Sequence, residues 1–350
     1  MNEFPTTPQA LTSDWLSQTL GAPVRDFAVA PLGEGVGILG QVTRVTLDWD
    51  GPYATLIAKF ASPVDANVAV AMTYDMYGRE VNFYTRLAEH IEVARPRCYG
   101  ARINADRNQF VLLLEDLVDY DIGDQVAGCD ERATAAVVRA LAAFHASGWQ
   151  PANELDLVSH NNSGQRDGMV AGFAAGWPVV CDQFADLIPA AARDIGDLMS
   201  QATPRLLAEM CAPPVAITHA DVRLDNVFFR PRSDGATDVS LVDWQSVCTS
   251  APEHDLAYFL TQSVPADVRA ARDWPGLYFD ALSARGIDYD RATFERRYLI
   301  SALYLLNYAV VIAGTLDLAN ERGAALGRTL LGRSLQALDE LGAYDFLKSY

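Results

Sequence analysis

The sequence predicts an α+β fold in two lobes, a small antiparallel sheet followed by a larger helical lobe. Three observations indicate this. Up to residue 115, short apolar or β-branched stretches alternate with polar, glycine-containing turns, as in a meander of strands. Beyond that point most segments have helical composition. A chain of 350 residues, half of them hydrophobic, also has enough apolar surface for two cores. We therefore predict lobes over residues 1–115 and 116–350.

The first lobe should open with a helix over residues 8–20, for which Thr7 is a plausible N-cap. A glycine-rich turn follows the first predicted strand, and a DG turn follows the second. Strands are predicted at residues 25–30, 41–49, 53–60, 97–100 and 110–114, with one long helix at 67–91 between the third and the fourth.

The second lobe should be mainly helical. Helices are predicted at residues 131–147, 168–185, 190–210 and most of 252–347, interrupted by the two short strands NVFFR and VSLVDW. The stretch 298–316 carries no charge and is long enough to cross a bilayer. Because it contains Ser301 and Asn307 and lacks clear anchoring flanks, we predict a buried helix and no membrane span.

Composition excludes some classes of function. The net charge of −18 argues against a nucleic-acid partner, because phosphate-backbone binding needs clustered Lys and Arg. A small anion can still bind where a few cations converge, since surface charge is screened beyond about 8 to 10 Å. The five cysteines are scattered without a C-x-x-C pair, and the N-terminus lacks the basic start of a signal peptide. These features favour a cytoplasmic protein.

Three glycines, Gly35, Gly37 and Gly40, form a G-x-G-x-x-G pattern. In a dinucleotide-binding fold this pattern opens a helix, whereas here it precedes QVTRVTLDW, which should be a strand. This context argues against a nicotinamide-dependent oxidoreductase. A glycine-rich turn between antiparallel strands can fold over nucleotide phosphates, although the glycines alone fit a flexible hairpin equally well.

A lysine lies within the apolar strand TLIAKF, where its charge needs a partner. We predict that Lys59 pairs with Glu80 on the helix that follows, and Glu89 is a competing partner. In kinases such a lysine holds the α- and β-phosphates while a helix glutamate fixes it.

The strongest motif is HADVRLDN, which spans residues 219–226, with Asp243 following 17 positions after Asn226. Phosphoryl transfer requires a carboxylate near the attacking hydroxyl and oxygen ligands for the metal that neutralises the phosphates. A loop presenting Asp221 and then Asn226, together with a strand ending at Asp243, can supply both.

These residues resemble a known superfamily. HADVRLDN matches the H-x-D-x-x-x-x-N catalytic loop of protein-kinase-like enzymes, and LVDWQ stands where protein kinases have Asp-Phe-Gly. The Trp in place of Phe, the LLLEDL segment and the long helical second lobe resemble the aminoglycoside phosphotransferase and choline kinase group, and most of all the bacterial relatives of ecdysteroid kinases. The resemblance covers nearly the whole chain and implies a two-lobed protein-kinase-like fold.

The resemblance implies an ATP- and Mg²⁺-dependent kinase that phosphorylates a hydroxyl of a small molecule. The implied roles are a base at Asp221, magnesium ligands at Asn226 and Asp243, a phosphate ligand at Lys59 fixed by Glu80, a loop over the phosphates at Gly35, Gly37 and Gly40, and adenine contacts from the backbone at Glu115, Asp116 and Leu117. Arg223 is implied to contact the transferred phosphate, and a structural ion pair with Asp225 is the alternative for that residue. By contrast, His145, His219 and Asp255 are expected to be structural.

The acceptor site should lie in the second lobe, where several aromatic residues offer apolar faces, although core packing is the simpler explanation for each: Trp177, Phe259, Tyr298, Tyr304 and Tyr308. Their abundance favours an apolar acceptor, such as a sterol-like or aromatic alcohol. The alternative is a cationic aminoglycoside or choline-like acceptor. A catalytically silent nucleotide-binding regulator is the alternative of another class, but the base, metal ligands and phosphate lysine are all present.

Overall fold

A computed structural model of the protein describes residues 4–32, 39–315 and 321–350. The chain divides into two compact units. The first contains Met1–His90, Ala94–Asp119 and the short segment Val242–Ser246, and the second contains the rest of the chain. The sequence-based boundary at residue 115 stays a prediction.

The first unit is built on an antiparallel sheet of five strands, as the sequence predicts. Its strands are β1 (Val24–Pro31), β2 (Gly40–Trp49), β3 (Thr55–Ala61), β4 (Cys98–Ile103) and β5 (Phe110–Glu115), in the spatial order β1-β2-β3-β5-β4. Helix α1 (Ser13–Leu20) precedes the sheet and is capped by Thr12, whose hydroxyl accepts the N–H of Trp15 at 3.1 Å. The predicted cap at Thr7 instead precedes a 3₁₀ turn, Pro8–Ala10.

The side chains of the central strand β3 alternate between two cores, one on each face of the sheet. Successive side chains on a strand point to opposite faces. Leu56, Ala58 and Phe60 lie in the core that contains Leu16 of α1. The alternate positions, including Ile57, pack in a second core on the other face. Lys59 belongs to this second set of positions, which face the helices between β3 and β4.

The helix predicted over residues 67–91 is broken into several pieces. The structure has α2 (Asp65–Thr73) and α3 (Met76–Asn82), followed by a π-helical segment, Phe83–Leu87, and a 3₁₀ turn, Ala88–His90. The break between the two helices lies at Asp75, whose φ of 51° is incompatible with a continuous right-handed helix. Arg107 pairs with the carboxylate of Asp75 at 2.6 Å and holds it there.

The second unit is mainly helical. Its helices are α4 (Glu131–Ser147), α5 (Ser163–Gln183), α6 (Gly196–Met210), α7 (Glu253–Tyr258), α8 (Ala266–Ala270), α9 (Trp274–Ser283), α10 (Arg291–Thr315), α11 (Glu321–Glu340) and α12 (Ala343–Ser349). A π-helical segment, Phe259–Ser263, extends α7. Most of the predicted helical regions are therefore confirmed, with shifted ends and, beyond residue 252, more breaks than expected.

More strands occur in this unit than the two predicted. Their bounds are β6 (Asp121–Ile122), β7 (Ala216–Thr218), β8 (Val227–Pro231), β9 (Thr237–Leu241) and β10 (Cys248–Ser250). Strands β6, β8 and β9 form one antiparallel sheet, and β7 pairs with β10. The residues between β7 and β8 are the predicted catalytic loop, so two small sheets hold its ends.

Helix α10 contains residues 298–315 of the charge-free stretch and lies largely within the core of the second unit. By length and composition Arg291–Gly314 could cross a membrane, and 72% of its most apolar window is buried within the protein. That burial fits a core helix, and the absence of a membrane span stays a prediction. The helix packs closely on α5, because a Cβ added to Gly314 would lie 2.7 Å from the Cα of Gly176.

Candidate active site

In the first unit, Lys59 forms a buried ion-pair cluster with two carboxylates. Its Nζ lies 2.8 Å from Oε2 of Glu80 on α3 and 2.6 Å from Oδ1 of Asp243. The strand alternation that places Lys59 on the helix-covered face explains the contact. The structure thus places Glu80 against the lysine, whereas the competing candidate Glu89 is exposed.

The ionisation of this cluster is coupled, since one lysine contacts two carboxylates. Burial opposes the charged form of Lys59, but Asp243 and Glu80 raise the pKa of the amine above its usual value. Burial raises the pKa of Glu80 to about 7; Lys59 opposes this rise and Asp243 adds to it.

The segment around Asp243 is held by an aromatic stack. Trp244 is fully buried and lies parallel to Phe83, with ring centroids 3.8 Å apart and an interplanar angle of 6°. Arg79 of α3 donates to the carbonyl of Ser246. Asp243 itself has a φ of 65°, in the left-handed region. The Trp that replaces the Phe of protein kinases therefore fixes the segment on the residues following α3.

The predicted nucleotide loop lies only partly within the described residues, whereas the predicted hinge at residues 115–117 lies wholly within them. Gly35 and Gly37 lie outside the described residues. Gly40 starts β2, and a Cβ there would lie 3.2 Å from Cε of Lys59, so the absence of a side chain leaves room for the lysine.

At the hinge, side chains serve structural contacts. Glu115 accepts the backbone N–H of Arg97 at 3.0 Å, and the carboxylate of Asp116 is paired with Arg44 at 2.6 Å. Leu117 follows and is half-buried. Both acidic side chains therefore have partners within the unit, and part of the backbone is paired as well: the N–H of Glu115 donates to the carbonyl of Arg97 and the carbonyl of Asp116 accepts the N–H of Val118, each at 2.8 Å. Contact with adenine stays a prediction.

In the second unit, Asp221 and Asn226 are joined by hydrogen bonds within the predicted catalytic loop. Nδ2 of Asn226 donates to the backbone oxygen of Asp221 at 3.0 Å and to its Oδ2 at 3.1 Å. A 3₁₀ turn, Leu224–Asn226, brings the amide back to the start of the loop. Nε of Arg223 lies 3.8 Å from Oδ1 of Asp221, at the outer limit of an ion pair. These three predicted residues thus cluster.

A buried carboxylate on α7 anchors the start of this loop. Asp255 accepts the backbone N–H of His219 at 2.7 Å and that of Ala220 at 2.8 Å. His145 contacts the same carboxylate at 3.1 Å and Tyr278 at 2.7 Å. Burial opposes ionisation of Asp255, but the hydrogen bonds and charges of His145 and His254 hold its pKa well below the usual range. The ionised Asp255 therefore serves a structural role, as the sequence analysis expected.

Ala220 adopts a left-handed backbone conformation, with a φ of 62°. A non-glycine residue in this region costs roughly 1–2 kcal/mol. The two N–H···O bonds to Asp255 impose the turn.

Sequence analysis missed one residue of this cluster, Tyr258. Its hydroxyl donates to Oδ1 of Asp221 at 2.9 Å. A tyrosine in the apolar run following Asp255 is usually a core residue, so no sequence signal singles it out. Only its spacing of three residues from Asp255, on one face of a helix, could have suggested it.

The aromatic residues proposed for acceptor binding are mostly part of the core. Trp177, Phe259, Tyr298 and Tyr304 are each less than 9% exposed. Tyr308 is half-buried, and its ring centroid lies 5.9 Å from that of Tyr258. Of the predicted set, only Tyr308 is therefore linked through Tyr258 to the catalytic loop.

The predicted magnesium ligands have suitable chemistry. Within the described ranges, no group of three or more His, Cys, Asp or Glu side chains is arranged to hold a metal. Asn226 and Asp243 are a different kind of set, an amide oxygen and a carboxylate, and Mg²⁺ in phosphoryl-transfer sites takes few protein oxygens besides phosphates and water. The amide N–H groups of Asn226 are directed to Asp221, which leaves its oxygen for a cation.

Comparison with solved structures defines the class of fold. A predicted aminoglycoside phosphotransferase from Ralstonia eutropha JMP134 matches with a TM-score of 0.60 at 15% identity, covering 96% of this chain and 97% of the other. A microcompartment-associated aminopropanol kinase gives 0.56 at 13% identity over 94% and 97%. APH(2")-IIIa, solved with GDP and kanamycin, gives 0.55 at 16% identity over 95% and 98%. The chain thus has the fold of the protein-kinase-like superfamily.

Within that superfamily the sequence defines the family. The model of the ecdysteroid kinase-like family matches residues 35–284, well over half of the chain. The protein belongs to the ecdysteroid kinase-like family, and the resemblance inferred from its motifs is confirmed. A search of curated protein sequences finds no match.

Proposed function

We propose that this protein is an ATP-dependent phosphotransferase that phosphorylates a hydroxyl group of a small molecule. The observation that carries the proposal is the buried cluster in which Lys59 contacts both Glu80 and Asp243. Holding Lys59 and Glu80 out of water, with Asp243 only partly exposed beside them, is costly unless the arrangement has a use. A phosphate-binding lysine with a fixing glutamate and a metal-binding aspartate is such a use.

In this proposal the first unit binds the nucleotide. Lys59 donates to the α- and β-phosphates, and Glu80 keeps the amine in position by its 2.8 Å contact. The backbone of residues 115–117 meets the adenine. The glycine pattern at residues 35–40 covers the phosphates. Membership of the ecdysteroid kinase-like family supports these assignments.

The second unit supplies the base. Asp221 orients the acceptor hydroxyl and accepts its proton as the oxygen attacks the γ-phosphorus of ATP, and ADP leaves. Arg223 offers a positive charge to the transferred phosphoryl group. The hydrogen bond from Asn226 to Oδ2 of Asp221 fixes the direction of the carboxylate.

Asn226 and Asp243 would hold the magnesium ion. When bound, Mg²⁺ neutralises charge that develops on the phosphate oxygens. The carboxylate of Asp243, which is partly exposed beside Lys59, supports a hard cation at this position. The side-chain oxygen of Asn226 supports a hard, oxygen-seeking ion.

We propose an uncharged, largely apolar acceptor, such as a sterol-like or aromatic alcohol. Two tyrosines adjoin Asp221: Tyr258 is hydrogen-bonded to it, and the ring of Tyr308 lies beside the ring of Tyr258. The polar partners of Tyr308 are Gln165 and His160, and neither of them is a carboxylate. A cationic aminoglycoside would be expected to meet acidic side chains. The family assignment also favours an alcohol of this kind over an amino sugar.

A transfer assay tests the proposal. Wild-type protein, Asp221→Ala and the control Asp197→Ala, an exposed aspartate at the start of α6, are incubated with Mg²⁺ and ATP or GTP. Pools of sterols, aromatic alcohols, amino alcohols and aminoglycosides serve as acceptors. We expect transfer to one of the first two pools, a fall of about 10²–10⁴-fold in Asp221→Ala with MgATP affinity within a few fold, and normal activity in the control. Full activity of Asp221→Ala would overturn the base assignment.

A further inference from the structure

A second residue acts on the candidate base. We propose that Tyr258 is a positioning residue that holds the carboxylate of Asp221 in its productive direction; this inference rests on the proposed function. Its hydroxyl donates to Oδ1 at 2.9 Å, while Asn226 donates to Oδ2 at 3.1 Å. An ionised carboxylate has about four lone-pair sites. With one donor on each oxygen the group cannot rotate freely, and sites remain for the acceptor hydroxyl.

Helix α7 carries this function together with the anchor of the loop. Asp255 fixes the backbone at His219 and Ala220, and Tyr258 lies three residues further along the helix. Residues three apart lie on the same face of a helix. One short helix therefore sets both the backbone of the loop and the direction of the side chain of Asp221.

The phenol ring itself is held rigidly. Tyr258 is 3% exposed, and the ring of Tyr308 lies 5.9 Å away. The hydroxyl of Tyr308 accepts a hydrogen bond from Gln165 at 2.6 Å and lies 3.3 Å from Nε2 of His160. A positioning group must itself be fixed by its surroundings, and this packing meets that requirement.

The hydroxyl is suited to be a permanent donor. Burial, with the nearby charge of Asp221, raises the pKa of Tyr258 well above its usual value. The phenol therefore stays neutral and keeps its proton while Asp221 exchanges one with the acceptor. A neutral donor also leaves the negative charge of the carboxylate in place, which a lysine would not.

Steady-state kinetics of Tyr258→Phe provide the first test. The control is Tyr344→Phe, which removes another buried tyrosine hydroxyl of the same unit, bonded to the carbonyl of Leu335 at 2.8 Å. With the acceptor found in the transfer assay, we expect kcat of Tyr258→Phe to fall about ten- to a hundredfold, as for loss of one hydrogen bond to a charged group. The KM for MgATP should stay within twofold, and the control should match wild type.

A double-mutant cycle in urea midpoints tests whether the effect passes through Asp221. The urea concentration at half-unfolding is measured for wild type, Tyr258→Phe, Asp221→Ala and the double variant. Tyr258→Phe should lower this midpoint in the wild-type background and leave it unchanged in the Asp221→Ala background. Additive midpoints would overturn the inference, and so would an unchanged kcat in an active Tyr258→Phe protein. If the wild type transfers phosphate to no acceptor, the proposed function fails and the inference fails with it. If the wild type is active and Tyr258→Phe has the same kcat, the inference alone is rejected.

Discussion

Lys59 and Asp243 lie 184 positions apart in the sequence, yet their side chains form a 2.6 Å ion pair inside one compact unit. The pair joins the central strand of the sheet to the segment that follows β9. It places the carboxylate next to the amine that we propose holds phosphates, so in the proposed function both groups would act on the same part of a nucleotide. If Asp243 holds the metal as proposed, it should have opposite effects on the binding of bare and of metal-bound nucleotide.

Replacing Asp243 should separate these two effects. We expect Asp243→Asn to weaken binding of MgATP at least about tenfold, since a metal ligand is lost. Binding of ATP in EDTA should stay the same or improve, because Lys59 is released from one carboxylate and the local negative charge falls. Isothermal titration calorimetry with and without Mg²⁺ measures both, with Asp197→Asn as the control. Unchanged MgATP affinity would remove Asp243 from the metal site.

The stack of Trp244 on Phe83 should contribute strongly to stability. Trp244→Ala removes a fully buried indole and leaves a cavity, so we expect a loss of about 3–5 kcal/mol in the free energy of unfolding. Trp244→Phe keeps an aromatic ring on Phe83 and should lose clearly less. Urea unfolding followed by circular dichroism measures this, and Val118→Ala, at a 65% exposed position, should change stability by at most about 0.5 kcal/mol. Equal losses for Ala and Phe would mean that the stack contributes little.

Sequence reasoning predicted the pairing of Lys59 with Glu80, but not the contact of Lys59 with Asp243. A lysine in an apolar strand requires an anion, and few glutamates on the next helix can reach it, so Glu80 could be named in advance. The sheet was equally predictable from its alternation and turns. The helix over residues 67–91 was not, because its break depends on Asp75 adopting a positive φ, and Arg107, which holds it there, lies 32 residues away.

The contribution of Tyr258 could not be predicted for a related reason. Its sequence context, DLAYFL, is that of a buried helix. Its hydroxyl can donate to Asp221 because Asp255, on the same helix, holds the backbone of the catalytic loop in place. Tertiary contacts of this kind follow from the packed structure and leave no local pattern. The same holds for the left-handed Ala220, whose conformation is imposed from α7.

The conformation of Ala220 predicts an unusual response to glycine. Ala220→Gly relieves about 1–2 kcal/mol of left-handed strain, but it removes a buried methyl group and raises the conformational entropy of the unfolded chain. We therefore expect the free energy of unfolding to change by no more than about 1 kcal/mol. The control Ala142→Gly lies inside α4, where glycine should cost about 1 kcal/mol for the backbone and more for the lost burial. Urea unfolding compares the two. If Ala220→Gly is as destabilising as Ala142→Gly, the positive φ is not a source of strain.

Glu253, the first residue of α7, should make stability depend on pH. Its side chain is fully buried, and burial raises its pKa from about 4.5 to about 7, against the opposing effects of Arg297 and Tyr289. A folded state with the higher pKa binds the proton more tightly than the unfolded chain. The stabilisation from Glu253 is therefore complete below about pH 4.5 and is lost as the pH rises through about 7. The difference amounts to at most about 3 kcal/mol.

The variant Glu253→Gln isolates this contribution, because the amide mimics the protonated carboxyl and does not titrate. We expect Glu253→Gln to be more stable than wild type at pH 8 and similar to it at pH 5, in urea unfolding at both values. Glu89→Gln, at an exposed position, should follow wild type at both. The contrary result would be a difference in stability between Glu253→Gln and wild type that has the same size at pH 5 and at pH 8. Glu253 would then titrate alike in the folded and the unfolded chain, and burial at the start of α7 would not favour its neutral form.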